Sequence, residues 1–137
     1  MQIGLLEDNP SIVRLLSTIL SNVGHNVSAF VDGAAFLASL GATEATSPTL
    51  SYNLLLIDLY LPGSLSGWDV INIIRTTIPP EQLPIIVISA ASAGELKQLQ
   101  ARHPDIAVIQ KPFGMAALLE QIEKHSPARV HGHWEST

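Results

Sequence analysis

The chain contains no cysteine. Disulfides and thiolate metal sites are excluded, and a reducing compartment is compatible with the composition. Charge is scarce as well: Asp, Glu, Lys and Arg make up 14% of the 137 residues, and aromatics only 5%. No run of Lys and Arg occurs, the net charge is −5 and the sequence pI is near 5.4. The sequence therefore predicts no direct nucleic-acid binding, which needs a basic patch against the phosphates. No apolar stretch approaches the ~20 residues of a membrane helix. The opening MQIGLLEDNP has no basic flank and turns acidic after Leu6, so it does not read as a signal peptide.

What is abundant is apolar. Hydrophobic residues reach 47% and the mean hydropathy is +0.31. That is enough for one domain with a true core, and it excludes disorder over most of the length. Five short apolar runs alternate with five helical patterns. The runs are Gln2–Leu6, Asn26–Phe30, Asn53–Ile57, Ile85–Ile88 and Ile106–Ile109. LLLI and IIVI are apolar at every position, as strands covered on both faces are, whereas Ser28 marks an edge strand.

The helices carry their own start and stop signals. Asn9-Pro10 is an N-cap and first-turn pair, and Ile12, Leu15, Leu16, Ile19, Leu20 and Val23 form a stripe closed by Gly24. A second helix starts after Asp32, buries Phe36, Leu37 and Leu40, and ends at Gly41. The third bears Trp68 at its start, then Val70, Ile71, Ile73 and Ile74, and stops before Pro79-Pro80. Ser92 and Glu95 form a capping box ahead of Leu96 and Leu99, and Pro104 ends that helix. The last spans about Phe113 to His125, with a Met and Leu stripe, Leu118, Leu119 and Ile122, facing inward. Such alternation with short connections implies a parallel sheet with helices on both faces. Ala42–Tyr52 reads as the one long loop, and residues 126–137 as a polar tail or the start of a linker.

In such a sheet, ligands sit beyond the carboxyl ends of the strands. Glu7 and Asp8 follow the first strand, Asp58 the third, Ser89 the fourth, and Gln110, Lys111 and Pro112 the fifth. Three converging carboxylates repel one another, and a hard divalent cation relieves that repulsion. A lysine and a hydroxyl opposite them suit phosphoryl oxygens, and a carboxylate can itself attack phosphorus. The residues alone thus point to a Mg²⁺ and phosphate site. Neither a nucleotide-binding P-loop nor a dinucleotide G-x-G-x-x-G occurs. A haloacid-dehalogenase-type phosphatase needs a general acid two residues past the nucleophile, where Tyr60 stands. An FMN phosphate loop is disfavoured by the acids of EDNP. His125, His131, His133 and Trp134 read as tail rather than as a metal or contact site.

The segments LLEDNP, LLLIDLYLPG, IIVISAAS and IQKPF resemble the receiver domain of bacterial two-component response regulators, over about residues 1–125. The resemblance implies a flavodoxin-like doubly wound α/β fold, a five-stranded parallel sheet of order 2-1-3-4-5 with five helices. It implies a signalling switch in which Asp58 accepts a phosphoryl group from the phosphohistidine of a histidine kinase or phosphotransfer protein. Asp8 would be a direct Mg²⁺ ligand, with Glu7 acting through water and the Tyr60 backbone carbonyl and Asp58 completing the metal set. Ser89 and Lys111 would contact the phosphoryl group, and Lys111–Pro112 would be a cis peptide. The domain would catalyse only its own phosphorylation and dephosphorylation, so it is not an enzyme in the ordinary sense. It would be cytoplasmic, off the membrane, and a monomer or weak dimer. The alternative is a pseudo-receiver, an interaction module indifferent to phosphorylation.

Three positions depart from the family pattern. The Pro62–Gly67 spacing is one residue longer than usual, and Val108 stands where an aromatic switch residue is usual. Ala101–Asp105 replaces the common Ala-Gly segment.

Overall fold

A computed structural model describes residues 1–40 and 52–125. In chain order the elements are β1 (Gln2–Leu6), α1 (Pro10–Asn22), β2 (Asn26–Phe30), α2 (Gly33–Ser39), β3 (Leu54–Ile57), α3 (Gly67–Thr77), β4 (Ile85–Ser89), α4 (Ala93–Arg102), β5 (Ala107–Gln110) and α5 (Met115–Lys124). The strands form one sheet of order β2-β1-β3-β4-β5, with every pairing parallel. This is the flavodoxin-like order expected.

Period-two alternation divides the sheet between two cores. Ile3, Leu5, Leu54, Leu56, Ile86, Ile88 and Ile109 face α1 and α5, where Leu16, Leu20, Leu118 and Ile122 meet them. Leu55, Ile57, Ile85 and Val87 face the opposite way, toward Phe36 of α2, Val70, Ile71 and Ile74 of α3, and Leu96 and Leu99 of α4. Every residue of β3 and β4 is buried, which explains why those strands read as unbroken apolar runs. β2, at the edge, is mostly exposed.

The caps fall where the side chains dictate. Asn9 Oδ1 accepts from the backbone N–H of Ser11 at 2.9 Å and Asp32 Oδ1 from that of Ala34 at 2.7 Å. Gly24 takes φ +94° just past α1, a conformation that favours glycine. Ser66–Asp69 forms a capping box on α3, and Ser92–Glu95 does so on α4.

The differences from the sequence expectation are local. The apolar stripes are wider than the buried faces, so Leu15 of α1, Val23 at its C-cap, Ile73 of α3 and Met115 of α5 are exposed. α5 starts at Met115 rather than about Phe113, because extended Gly114 is its N-cap. β3 starts at Leu54 because Asn53 turns its side chain to the backbone N–H of Gln2, 2.8 Å away. β5 starts one residue late, since the Ile106 N–H still donates to the His103 carbonyl within a turn. Tyr52 is no loop residue in character: it is buried, with its ring stacked on Phe36 at 6.3 Å between centroids. The rest of that loop, the helix stop at Gly41, and the tail with His131, His133 and Trp134 lie outside the described residues.

Candidate functional site

Parallel strands deliver their carboxyl ends to one edge of the sheet. Leu6 pairs with Ile57, Ile57 with Val87, and Ser89 with Gln110, so Glu7, Asp58, Ser89 and Lys111 emerge side by side. The site lies between β1 and β3, where the chain leaves β1 for opposite sides of the sheet. Backbone bonds fix its floor. The Glu7 N–H donates to the Phe30 carbonyl at 3.0 Å, Asp58 N–H to Leu6 at 3.0 Å and Lys111 N–H to Ser89 at 2.8 Å.

One cation ties the acids together. Lys111 Nζ donates to Glu7 Oε1 at 2.9 Å and to Asp58 Oδ2 at 3.0 Å. Each carboxylate keeps a second, local partner: Glu7 Oε2 accepts from the Asn9 N–H at 3.1 Å, and Asp58 Oδ1 from the Tyr60 N–H at 3.2 Å. Glu7, Asp58 and Ser89 are buried, while Asp8 is exposed at the rim. Even so, Glu7, Asp8 and Asp58 each bring an oxygen within 4.8 Å of the others. Burial raises the Glu7 pKa, only partly opposed by its bonds from Lys111 and Asn9. Burial also works against the Lys111 charge, but the two carboxylates outweigh it and hold that pKa above its ordinary value.

The hydroxyl and the loops complete the arrangement. Ser89 Oγ accepts from the Ala91 N–H at 3.2 Å, and Gln110 Nε2 donates to the Ala91 carbonyl at 3.1 Å. The Lys111–Pro112 bond is cis. The longer loop after β3 closes back on itself, for the Gly67 N–H donates to the Leu59 carbonyl at 2.9 Å. A Cβ at Gly67 would lie 2.1 Å from the Asp58 carbonyl oxygen, so only glycine lets α3 start this close to the acid. The sequence reading missed this close approach, as nothing local to Ser66-Gly67 reports Asp58 nine positions earlier. It also missed a bond from the Tyr60 hydroxyl to Glu95 Oε1, which raises the Tyr60 pKa and lowers that of Glu95. Glu95 was legible only as a cap.

The donor set fits a hard divalent cation. It is all oxygen and it converges; among the described residues Glu7 and Asp58 share one lysine, and Asp8 is open to solvent. Beside it, an apolar depression of about 420 Å³ is lined by Ile12, Leu15, Ala90, Lys111, Pro112 and Phe113.

Comparison with known proteins agrees with this geometry. The response regulator protein FleR of Pseudomonas aeruginosa is 29% identical over 131 residues, which is 96% of this chain and 26% of FleR. Hybrid signal transduction histidine kinase L of Dictyostelium discoideum is 28% identical over 130 residues, 93% of this chain but 7% of that protein. The chain thus spans about a quarter or less of these relatives. Among solved structures, the receiver domain of a Pseudomonas aeruginosa sensor histidine kinase superposes with a TM-score of 0.70 at 27% identity. The match covers 90% of this chain and 94% of that one, and that structure holds a magnesium ion in its active-site cleft. The sequence description of the response regulator receiver domain matches residues 3–123, nearly the full length. This protein belongs to the response regulator receiver domain family.

Proposed function

We propose that the domain is a phosphorylation switch with Asp58 as its phosphoacceptor. The observation that carries this reading is the shared lysine. Lys111 Nζ sits 3.0 Å from Asp58 Oδ2, where it would meet an oxygen of a phosphoryl group carried by that carboxylate. The donor would be a phosphohistidine of a kinase or phosphotransfer protein. An Asp58 oxygen attacks phosphorus, the new O–P bond forms as the P–N bond breaks, and the electron pair leaves with the imidazole nitrogen, which takes up a proton. Ser89 Oγ turns from the Ala91 N–H to donate to a phosphoryl oxygen. Glu7, through water, together with Asp8, Asp58 and the Tyr60 carbonyl, would hold Mg²⁺, which offsets the charge of the transferring group.

Burial of Glu7 and Asp58 matters to this chemistry. In a cleft of low polarity, each charge on the phosphoryl oxygens is felt more strongly by Lys111 than it would be in water. The exposed Leu15 and the apolar depression beside the lysine offer the protein donor a place to rest while its imidazole reaches the acid. Reversal needs only water in line with the acyl phosphate, so no separate substrate is turned over. Among the described residues no helix is long and apolar enough to cross a membrane. The reading places the domain in the cytoplasm, alongside the kinase that would charge it.

The test is incubation with acetyl phosphate and Mg²⁺, followed by intact mass. Wild type should gain the mass of one HPO₃ in acid-labile form, and Asp58→Asn should gain none. Labelling that persists in the variant would refute the acceptor. No labelling in either would favour a pseudo-receiver that acts by contact alone.

A further inference from the structure

Tyr60 makes hydrogen bonds to two parts of the molecule. Its backbone N–H holds Asp58 Oδ1 at 3.2 Å, inside the site. Its hydroxyl donates to Glu95 Oε1, on the first turn of α4. Among the described residues, this is the one side-chain hydrogen bond between the loop after β3 and α4. Tyr60 is 48% exposed, so burial does little to fix its ring. Its orientation rests on the hydroxyl.

The receiving oxygen is already in use. Glu95 Oε1 also accepts from the Ser92 N–H at 3.1 Å and from Ser92 Oγ at 3.4 Å, as the acid of the α4 capping box. Ser92 follows Ala91, whose N–H is held by Ser89 Oγ. From Ser89 the path returns through the Lys111 N–H to Lys111 Nζ and Asp58 Oδ2. The bonds therefore close a ring that starts and ends on Asp58, and Tyr60–Glu95 is its link from the loop after β3 to α4.

A phosphoryl group on Asp58 disturbs this ring at two places. One Asp58 oxygen becomes the bridging oxygen of the acyl phosphate, and Ser89 Oγ exchanges the Ala91 N–H for the phosphoryl group. The loop after β3 and the loop after β4 must both adjust, and Tyr60–Glu95 is where they are fastened. The apolar route from site to α4 is poor by comparison. Val108, half-buried in the core that α4 shares, has no ring to swing and, being β-branched, is restricted at χ1.

We propose that Tyr60 and Glu95 are a positioning pair, a strap through which occupancy of Asp58 sets the first turn of α4. Linkage makes the effect reciprocal: fastening α4 to Tyr60 also fixes the loop that presents the site. The inference rests on the phosphorylation reading, and the experiment separates the two. Amide ¹⁵N–¹H spectra of the full chain are recorded with Mg²⁺, then with Mg²⁺ and beryllium fluoride as the phosphoryl mimic.

In wild type, shifts are expected at Asp58–Tyr60 and Ser89–Ala91, and again across Ala93–Lys97. In Tyr60→Phe the site shifts should remain, while those of Ala93–Lys97 fall to about a third, and the apparent Mg²⁺ dissociation constant should rise about threefold. Glu95→Gln keeps an acceptor oxygen for both Ser92 and Tyr60, so most of the α4 response should survive. Equal α4 shifts in wild type and Tyr60→Phe would overturn the strap while leaving the site reading intact. So would site shifts in wild type with none in α4. Silence at Asp58 and Ser89 themselves would overturn the site reading, and the strap with it.

Discussion

Replacing Lys111 by Met keeps the length and apolar stem of the side chain and removes only its charge. The side chains of Glu7 and Asp58 are 2% and 6% exposed, and both lose the cation they share. Removing one partner of a fully buried ion pair costs about 3–5 kcal/mol, because the other charge is left stranded. Two features reduce that figure here. Lys111 itself is 17% exposed, so water reaches the gap, and each carboxylate keeps one backbone N–H. The expected loss is about 2 kcal/mol, read as a lower urea midpoint with an unchanged slope.

The same charge balance fixes the metal response. Without the lysine, no cation offsets the repulsion among the three acids, so a metal ion gains more by entering. Mg²⁺ should raise the melting temperature of Lys111→Met by more than it raises wild type. Acid-labile phosphorylation by acetyl phosphate should nonetheless slow, since no cation remains opposite the phosphoryl oxygens. A double-mutant cycle with Glu7→Gln isolates the pair: the two losses should sum to more than the double variant shows, by about 1 kcal/mol or more. If Lys111→Met loses less than ~0.5 kcal/mol and its Mg²⁺ shift equals that of wild type, the carboxylates are not coupled through this lysine, and the reasoning fails.

Asp8→Asn should melt higher than wild type without metal, having lost a like charge beside Glu7 and Asp58, and should lose most of the Mg²⁺-dependent rise in melting temperature. Gly67→Ala drives a Cβ to 2.1 Å from the Asp58 carbonyl oxygen; the backbone must move, at a cost of about 1–3 kcal/mol by urea unfolding, and phosphorylation of Asp58 should slow with it. His103, bonded to Asn72 Oδ1 at 3.0 Å, has its pKa lowered from 6.5, chiefly by burial. The unfolded chain then takes up that proton first, so stability is full above about pH 6.5 and declines as pH falls from there toward the folded pKa; His103→Gln should flatten that slope in a melting series from pH 7.5 to 5.5. His25 and His125 shift the same way and keep part of the slope in the variant.

The sheet was legible because its signals are local. Four fully apolar residues in a row at Leu54–Ile57, or an Asn-Pro pair before a stripe, report their surroundings directly. Burial breadth was not legible. Leu15, Ile73 and Met115 satisfy the helical period, yet the helix face that the sheet covers is narrower than the arc the period admits. Leu15 in particular lines the apolar depression beside Lys111. Tyr52 errs the other way: polar neighbours in sequence concealed a ring that completes the core around Phe36.

The site divides along the same line. Glu7, Asp8, Asp58, Ser89 and Lys111 were nameable from the chain because parallel strands convert order in sequence into adjacency in space, and each residue ends its strand or follows it within two positions. No such rule connects Tyr60 to Glu95. They are 35 positions apart, one in a loop and the other in a cap, and each has a sufficient local explanation of its own. A carboxylate that completes a capping box gives no hint in sequence that a phenol reaches it from across a cleft. Residues that would carry the proposed chemistry are held by the sheet and inherit its regularity. Residues that would relay its state must touch two elements at once, and that second contact exists only in three dimensions.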